Sequence, residues 1–303
     1  MFVVAQDGAT SLWTGPKLTP LSPPVGMPHN VTCISPPAAV RGLGAIIVCG
    51  TMDGGVVAVP LTPPGPIRVL NDGDNDETIT AISVVSFGDG EAALVGTASG
   101  IVDVYNLADG EVLARVAAHA PHGITSLSAA SSHDGLWLTS DAAGRVSMWR
   151  SSQDGVVRVT SVDFGRGSPN VDPIACFAGD DSDTLLVTGV PTSSHEGPCA
   201  TLYSPGLSAV LDVIPLTAPV TCARPAADLT AVALSCSDNS LVVIANSGDR
   251  VVSIEDDNGV EESIEVSTWI AYGRGGSGRA VTGLGWLGEG DLVVSVSDSI
   301  EVW

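Results

Sequence analysis

Basic residues are scarce: twelve against 34 acidic, a single lysine (Lys17) among them, for a formal charge of −22. A field of that sign repels phosphate backbones, so direct nucleic-acid binding is not expected. No apolar run approaches the 18 or so residues of a membrane helix, and Asp7 interrupts the opening MFVVAQD before a signal-peptide core forms. The sequence therefore predicts a soluble protein without membrane insertion. Six cysteines (Cys33, Cys49, Cys176, Cys199, Cys222, Cys236) form no C-x-x-C pair. They read as reduced, small buried hydrophobes of an intracellular protein. There is no G-x-S-x-G elbow, P-loop or H-E-x-x-H, and the five histidines are dispersed. No catalytic residue, metal ligand or cofactor site is predicted.

What the chain has is repetition. Apolar residues make up 44%, and 35 glycines and 20 prolines are spread along the chain at turns, with no long linker. This predicts one domain over residues 1–303. The stretch from His119 to Val162, about 44 residues long, contains four runs that alternate apolar and polar residues. They begin at Ile124, Leu136, Arg145 and Val156, and short turns rich in Gly, Asp and Ser separate them. Such a unit is a four-stranded antiparallel meander. Its first run recurs as VTCI at Val31, ITAI at Ile79, IACF at Ile174, VTCA at Val220 and VTGL at Val281. Its second and third runs form a hairpin ending in a bulky residue, which recurs at Trp13, Val59, Tyr105, Trp149, Tyr203, Ile244 and Trp303. Visible insertions, Pro191 to Pro198 and Glu255 to Glu262, account for the two long intervals.

The period, the His before the first run and the ending at Met148 and Trp149 resemble the WD-repeat family. The fold that this implies is an all-β propeller of seven blades with incomplete first and last blades, or alternatively of six. Its core is expected in the inner and middle strands, among them Val31, Ile79, Ile124, Leu138, Val220 and Val294. The family carries a turn aspartate that pairs with a histidine from the loop before the first strand. Asp7, Asp53 and Asp238 match the aspartate, His29 and His122 match the histidine, and Ser99 and Ala143 depart from the pattern. Both histidines are expected to be structural.

Two segments raise other questions. In Asn71 to Glu77, Asp72, Asp74 and Asp76 take the first three ligand spacings of a calcium loop, but Glu77 stands where glycine is needed and Ser83 where a bidentate Glu belongs. A solvated acidic loop is expected there. The lengthened turn around His195 and Glu196 reads as a tolerated insertion, with a binding loop as the alternative. After Ile244 the outer strand falls at Arg250 to Ile254 or at Ser263 to Thr268, and the pattern does not choose between them.

The order ASGIVDVY, AAHAPHGIT, DAAGRVSMW and the ending from VSTWIAYG to IEVW resemble a small WD-repeat nucleoporin family of the Y-shaped outer ring of the nuclear pore. That resemblance implies a non-enzymatic interaction scaffold at the nuclear envelope, whose partners are other protein subunits. A subunit of a ciliary or vesicle-coat assembly is the alternative, as is a substrate receptor of a ubiquitin ligase, although no blade here ends in W-D-x-x-R. The strand count leaves the opening blade without an inner strand and the closing blade without an outer one. Candidate partner-binding residues are therefore Phe2, Val4 and Asp7 at one edge and Ile300, Val302 and Trp303 at the other. Either a partner donates a strand there, or a segment such as Ser263 to Thr268 folds back to cover the gap.

Overall fold

The computed structural model describes residues 2–6, 9–14, 19–21, 28–61, 66–73, 77–130, 135–167, 171–179, 184–191, 197–204, 206–226, 228–255, 261–274, 281–287, 291–296 and 299–302. All regular elements among them are β-strands, and none is a helix long and apolar enough to cross a membrane. The chain divides into two compact units, residues 1–176 with 189–191 and residues 177–188 with 192–303.

In the first unit, β1 (Phe2–Gln6), β2 (Ala9–Thr14) and β3 (Thr19–Leu21) form a three-stranded antiparallel sheet. In the next sheet β4 (Val31–Ile34) and β5 (Ala38–Val40) both pair with β6 (Gly44–Thr51), and β7 (Val56–Pro60) and β8 (Arg68–Asn71) follow. Two four-stranded meanders complete the unit. One runs through β9 (Ile79–Phe87), β10 (Gly90–Thr97), β11 (Val102–Asn106) and β12 (Val112–Val116). The other runs through β13 (Ile124–Ala129), β14 (Leu136–Asp141), β15 (Arg145–Ser152) and β16 (Gly155–Asp163).

The unit boundary falls within β17 (Ile174–Ala178), after Cys176. β17 heads a sheet that continues through β18 (Thr184–Thr188), β19 (Cys199–Tyr203) and β20 (Val210–Pro215). In the second unit β21 (Val220–Pro225), β22 (Ala231–Cys236), β23 (Leu241–Glu255) and β24 (Glu261–Arg274) form another four-stranded sheet. β25 (Val281–Leu287), β26 (Asp291–Val296) and β27 (Ser299–Val302) form a three-stranded one.

Five of these sheets are full blades of four strands or more, which corrects the expected count of seven, or of six, to five. The physical reason is that the bulky ending marks a hairpin, and a hairpin is half a blade. At Trp13 and beside Trp303 the hairpin has one further strand instead of two, so those sheets stop at three.

The six first-run signatures begin strands β4, β9, β13, β17, β21 and β25. Where the second residue is Thr32, Thr80, Thr125 or Thr221, the register to the neighbouring strand slips there, so the threonine is the extra residue of a β-bulge. Its hydroxyl then bonds a nearby carbonyl: Gly50 for Thr32 (3.2 Å), Gly96 for Thr80 (3.3 Å) and Ser235 for Thr221 (3.1 Å). Thr125 donates to Pro173 (2.5 Å). A β-branched residue with one hydroxyl fits a bulged strand that leaves a carbonyl to satisfy.

The second strands do not alternate as the sequence pattern predicts. β14 is buried from Trp137 to Asp141, and β6, β10, β18 and β22 have similarly continuous buried runs. A strand packed on both faces has no solvent side, so AIIVC, AALV and TLLV read as apolar runs. In β10, Ala93 and Val95 join one core cluster with Ile46, Val48 and Ile79, while Ala92 and Leu94 join another with Ile124 and Trp137. Each fully buried Leu contributes about 1.5–3 kcal/mol, so these strands are a substantial source of apolar stabilisation. Glycine lets the sheets close up: a Cβ on Gly96 would stand 2.8 Å from Ile124 Cγ2, and one on Gly50 2.5 Å from Ile79 Cγ2. Val31, Ile79, Ile124, Leu138 and Val220 are buried as expected of core residues. The side chain of Val294 lies outside the described residues.

β23 and β24 are longer than their sheet. Leu241 to Ala245 pair with β22 on one side and with Ile270 to Arg274 on the other, and from Gly248 to Glu255 the pair continues, among the described strands, as a two-stranded ribbon. The two candidate outer strands are thus partners of each other, Arg250 facing Val266 and Ser253 facing Ser263. The outer strand beside Leu241 to Asn246 is the segment from Trp269 to Arg274.

Candidate functional site

The tightest polar cluster lies in the sheet β13 to β16 and begins at His119, in the loop before β13. Its Nδ1 is 2.8 Å from Asp141 Oδ2, and its Nε2 is 2.7 Å from Thr139 Oγ1. Trp149 Nε1 donates to the same hydroxyl at 2.9 Å. Asp141 Oδ1 accepts the backbone N–H groups of Ala143 (2.8 Å) and Arg145 (2.9 Å), which shapes the turn between β14 and β15. Burial pushes the His119 imidazole below its ordinary pKa, the pull of Asp141 opposing. A neutral ring fits the chain of donors: Trp149 N–H to Thr139, Thr139 O–H to His119 Nε2, His119 Nδ1–H to Asp141. Trp149 also stacks on Trp137, ring centroids 5.3 Å apart, and Trp137 Nε1 donates to Ser151 Oγ. All four members of the chain are buried, so the cluster meets no substrate and locks a turn.

Two of the expected aspartates sit in their turns, but neither expected histidine meets them. Asp53 accepts from the Thr51 hydroxyl, and Asp238 accepts from Ser240 N–H (2.9 Å) and the Thr217 hydroxyl (3.0 Å). These hydrogen bonds lower both carboxyls' pKa. His29 and His122 are exposed, and no hydrogen bond among the described residues ties either to a turn aspartate. The imidazole that makes that contact is His119, and its aspartate stands two residues before Ala143. Thr97 fills the position of Asp141 in its own turn, where its hydroxyl accepts Ile101 N–H at 3.2 Å. Asp7 lies outside the described residues.

Of the proposed partner-binding residues, Phe2 and Val4 belong to β1, and Ile300 and Val302 to β27; Trp303 lies outside the described residues. β1 pairs with β2 and packs beside β4, and β27 pairs with β26. Each is the end strand of a three-stranded sheet.

Elsewhere the ionisable groups act locally. Arg115 Nε lies 3.5 Å from Asp103 Oδ1, whose carboxyl burial pushes up against that attraction. Burial would raise the Glu77 carboxyl, but hydrogen bonds from Ser99 and Thr97 outweigh it and lower it. The Cys49 thiol is pushed up to about 12, by burial and then by Cys33, which removes thiolate chemistry at neutral pH. No disulfide joins any of the six cysteines. Among the described residues no group of three or more His, Cys, Asp or Glu is placed to hold a metal ion. Asp74 and Asp76 of the acidic loop, and His195 and Glu196, lie outside those residues.

No family model and no curated protein matches the chain. Solved structures do. The β-propeller domain of Cps50 (Swd1) from Myceliophteria thermophila matches with a TM-score of 0.59 at 13% identity, over 91% of this chain and 85% of that one. The WD40 β-propeller domain of Doa1 matches with a TM-score of 0.61 at 16% identity, over 99% and 86%. The fold is a β-propeller. In this propeller the buried histidine cluster belongs to one blade, and the turns of the blade at Thr51 and of the blade at Cys236 reach a similar end with an aspartate two positions later.

Proposed function

We propose that this propeller is a non-enzymatic protein–protein interaction scaffold, a structural subunit of a large assembly such as the outer ring of the nuclear pore. In this reading it resides at the nuclear envelope, residues 1–303 act as one interaction domain, and a partner subunit donates a strand to a terminal blade. The observation that carries the reading is the pair of three-stranded terminal sheets, whose end strands β1 and β27 each have one pairing partner among the described strands. An unpaired edge offers backbone donors and acceptors to an added strand. The buried histidine cluster and the high thiol pKa of Cys49 supply no reactive group at a surface, which supports a binding role.

The test is proline substitution along β27. Adjacent residues of a strand direct their N–H groups to opposite edges, so of Glu301→Pro and Val302→Pro one breaks pairing with β26 and the other meets only the open edge. Tagged chain purified from nuclear-envelope, cilium and vesicle fractions is expected to bring stoichiometric partner subunits from the nuclear envelope. The open-edge variant is expected to keep its melting temperature and lose those partners. Full partner recovery with both variants overturns strand donation, and recovery from cilia or coated vesicles instead overturns the pore assignment.

A further inference from the structure

The ribbon at the far end of β23 and β24 has a pattern that a mere insertion does not require. Eight register pairs, Gly248 with Thr268 through Glu255 with Glu261, extend beyond the four-stranded sheet, and the register slips at Ser247, where the ribbon leaves it. A bulge at that point re-aims a strand pair away from its sheet. Residues that pair, or lie two apart, share a face. By that rule Val252, Ile254, Ile264 and Val266 share one face of the ribbon with Arg250 and Glu262, and Asp249, Glu255, Glu261 and Glu265 share the other with Val251 and three serines. Between Gly248 and Thr268 the sequence has seven acidic residues and one arginine.

An isolated two-stranded ribbon is marginal in water, whereas a third strand that prolongs an apolar face makes the arrangement stable. The ribbon supplies the template for that strand, with β-branched residues prevailing on one face and four acids but no basic residue on the other. An added strand must alternate too, and its composition follows from its neighbours. Apolar residues come to lie beside the face of Val252 and Ile264, and lysine or arginine beside the face of Glu261 and Glu265. A second copy of this chain is a poor occupant, because its own ribbon is equally acidic and each chain carries −22.

We propose that the ribbon is a docking arm onto which a partner protein adds an extended segment that alternates basic with apolar residues. The proposal rests on the interaction reading but involves neither β1 nor β27, so the proline test on β27 and the test below fail independently. The probe is a labelled peptide of about ten residues alternating lysine and valine, long enough to span the ribbon, with binding followed by fluorescence anisotropy at physiological salt. The full chain is expected to bind it at least about tenfold more tightly than a peptide of the same composition with its lysines and valines in two blocks. Replacing Gly248 to Thr268 by Asn-Gly is expected to abolish that preference. The milder double variant Glu261→Lys, Glu265→Lys keeps the ribbon and is expected to weaken the preference for the alternating lysine and valine peptide. Equal binding of alternating and block peptides, unchanged binding after ribbon removal, or no binding at all overturns the proposal.

Discussion

His119 shows how one side chain holds a turn through its protonation state. Its folded pKa is depressed from 6.5, so as pH falls the unfolded chain takes up the proton first. The stability it contributes is fully present above about 6.5 and is lost as pH falls through the folded value. Unfolding in denaturant is expected to show stability dropping between neutral and mildly acid pH, and His119→Asn is expected to flatten that slope. An unchanged slope in the variant assigns the pH dependence to other groups. Asp141→Ala leaves two backbone N–H groups and the imidazole N–H without their acceptor, and is expected to lower unfolding free energy by roughly 2–4 kcal/mol. A midpoint shift equivalent to less than about 1 kcal/mol contradicts the network. Little of this is legible in sequence: His119 and His122 stand in the same loop, and a loop has no period to say which imidazole turns inward. Asp141 likewise reads as the polar end of β14, because the turn accepts an aspartate at either of two positions.

At the level of the element, the first strands are the most legible part of the chain. A β-branched residue followed by threonine marks strand, bulge and carbonyl partner together, and β4, β9, β13 and β21 begin where that pair stands. The middle strands are less so, since alternation presumes a wet face and β10 has none. Their packing gives a direct test at Gly96. Gly96→Ala places a methyl 2.8 Å from Ile124 and 3.1 Å from Leu127, and overpacking of this kind costs about 1–3 kcal/mol. Gly90→Ala, on the same strand with nothing within 4 Å, is the control and is expected to be neutral or slightly stabilising. Equal melting temperatures for the two variants contradict the close approach of the sheets. The ribbon of β23 and β24 is illegible for a different reason: two equally good strand patterns flank an acidic run, and only the register shows that they pair with each other.

For the whole molecule, charge dominates what solution conditions do. At −22 the chain repels itself, and salt screens that repulsion with a Debye length falling to about 10 Å at 0.1 M. Raising sodium chloride from about 10 mM to about 150 mM is expected to raise the melting temperature by about 2–5 °C. A fall in melting temperature over that range means that favourable ion pairs outweigh the repulsion. The number of blades is the global quantity that sequence conveys least well, because hairpins announce themselves by a bulky ending while the presence of a fourth strand has no mark of its own. In the first unit, β10 gives alternate residues to two different cores, one built with the sheet before it and one with the sheet after. Cutting out that blade alone exposes both faces of its most apolar strand. Truncation there is therefore not graded: removing that blade strips partners from the core on each side of it.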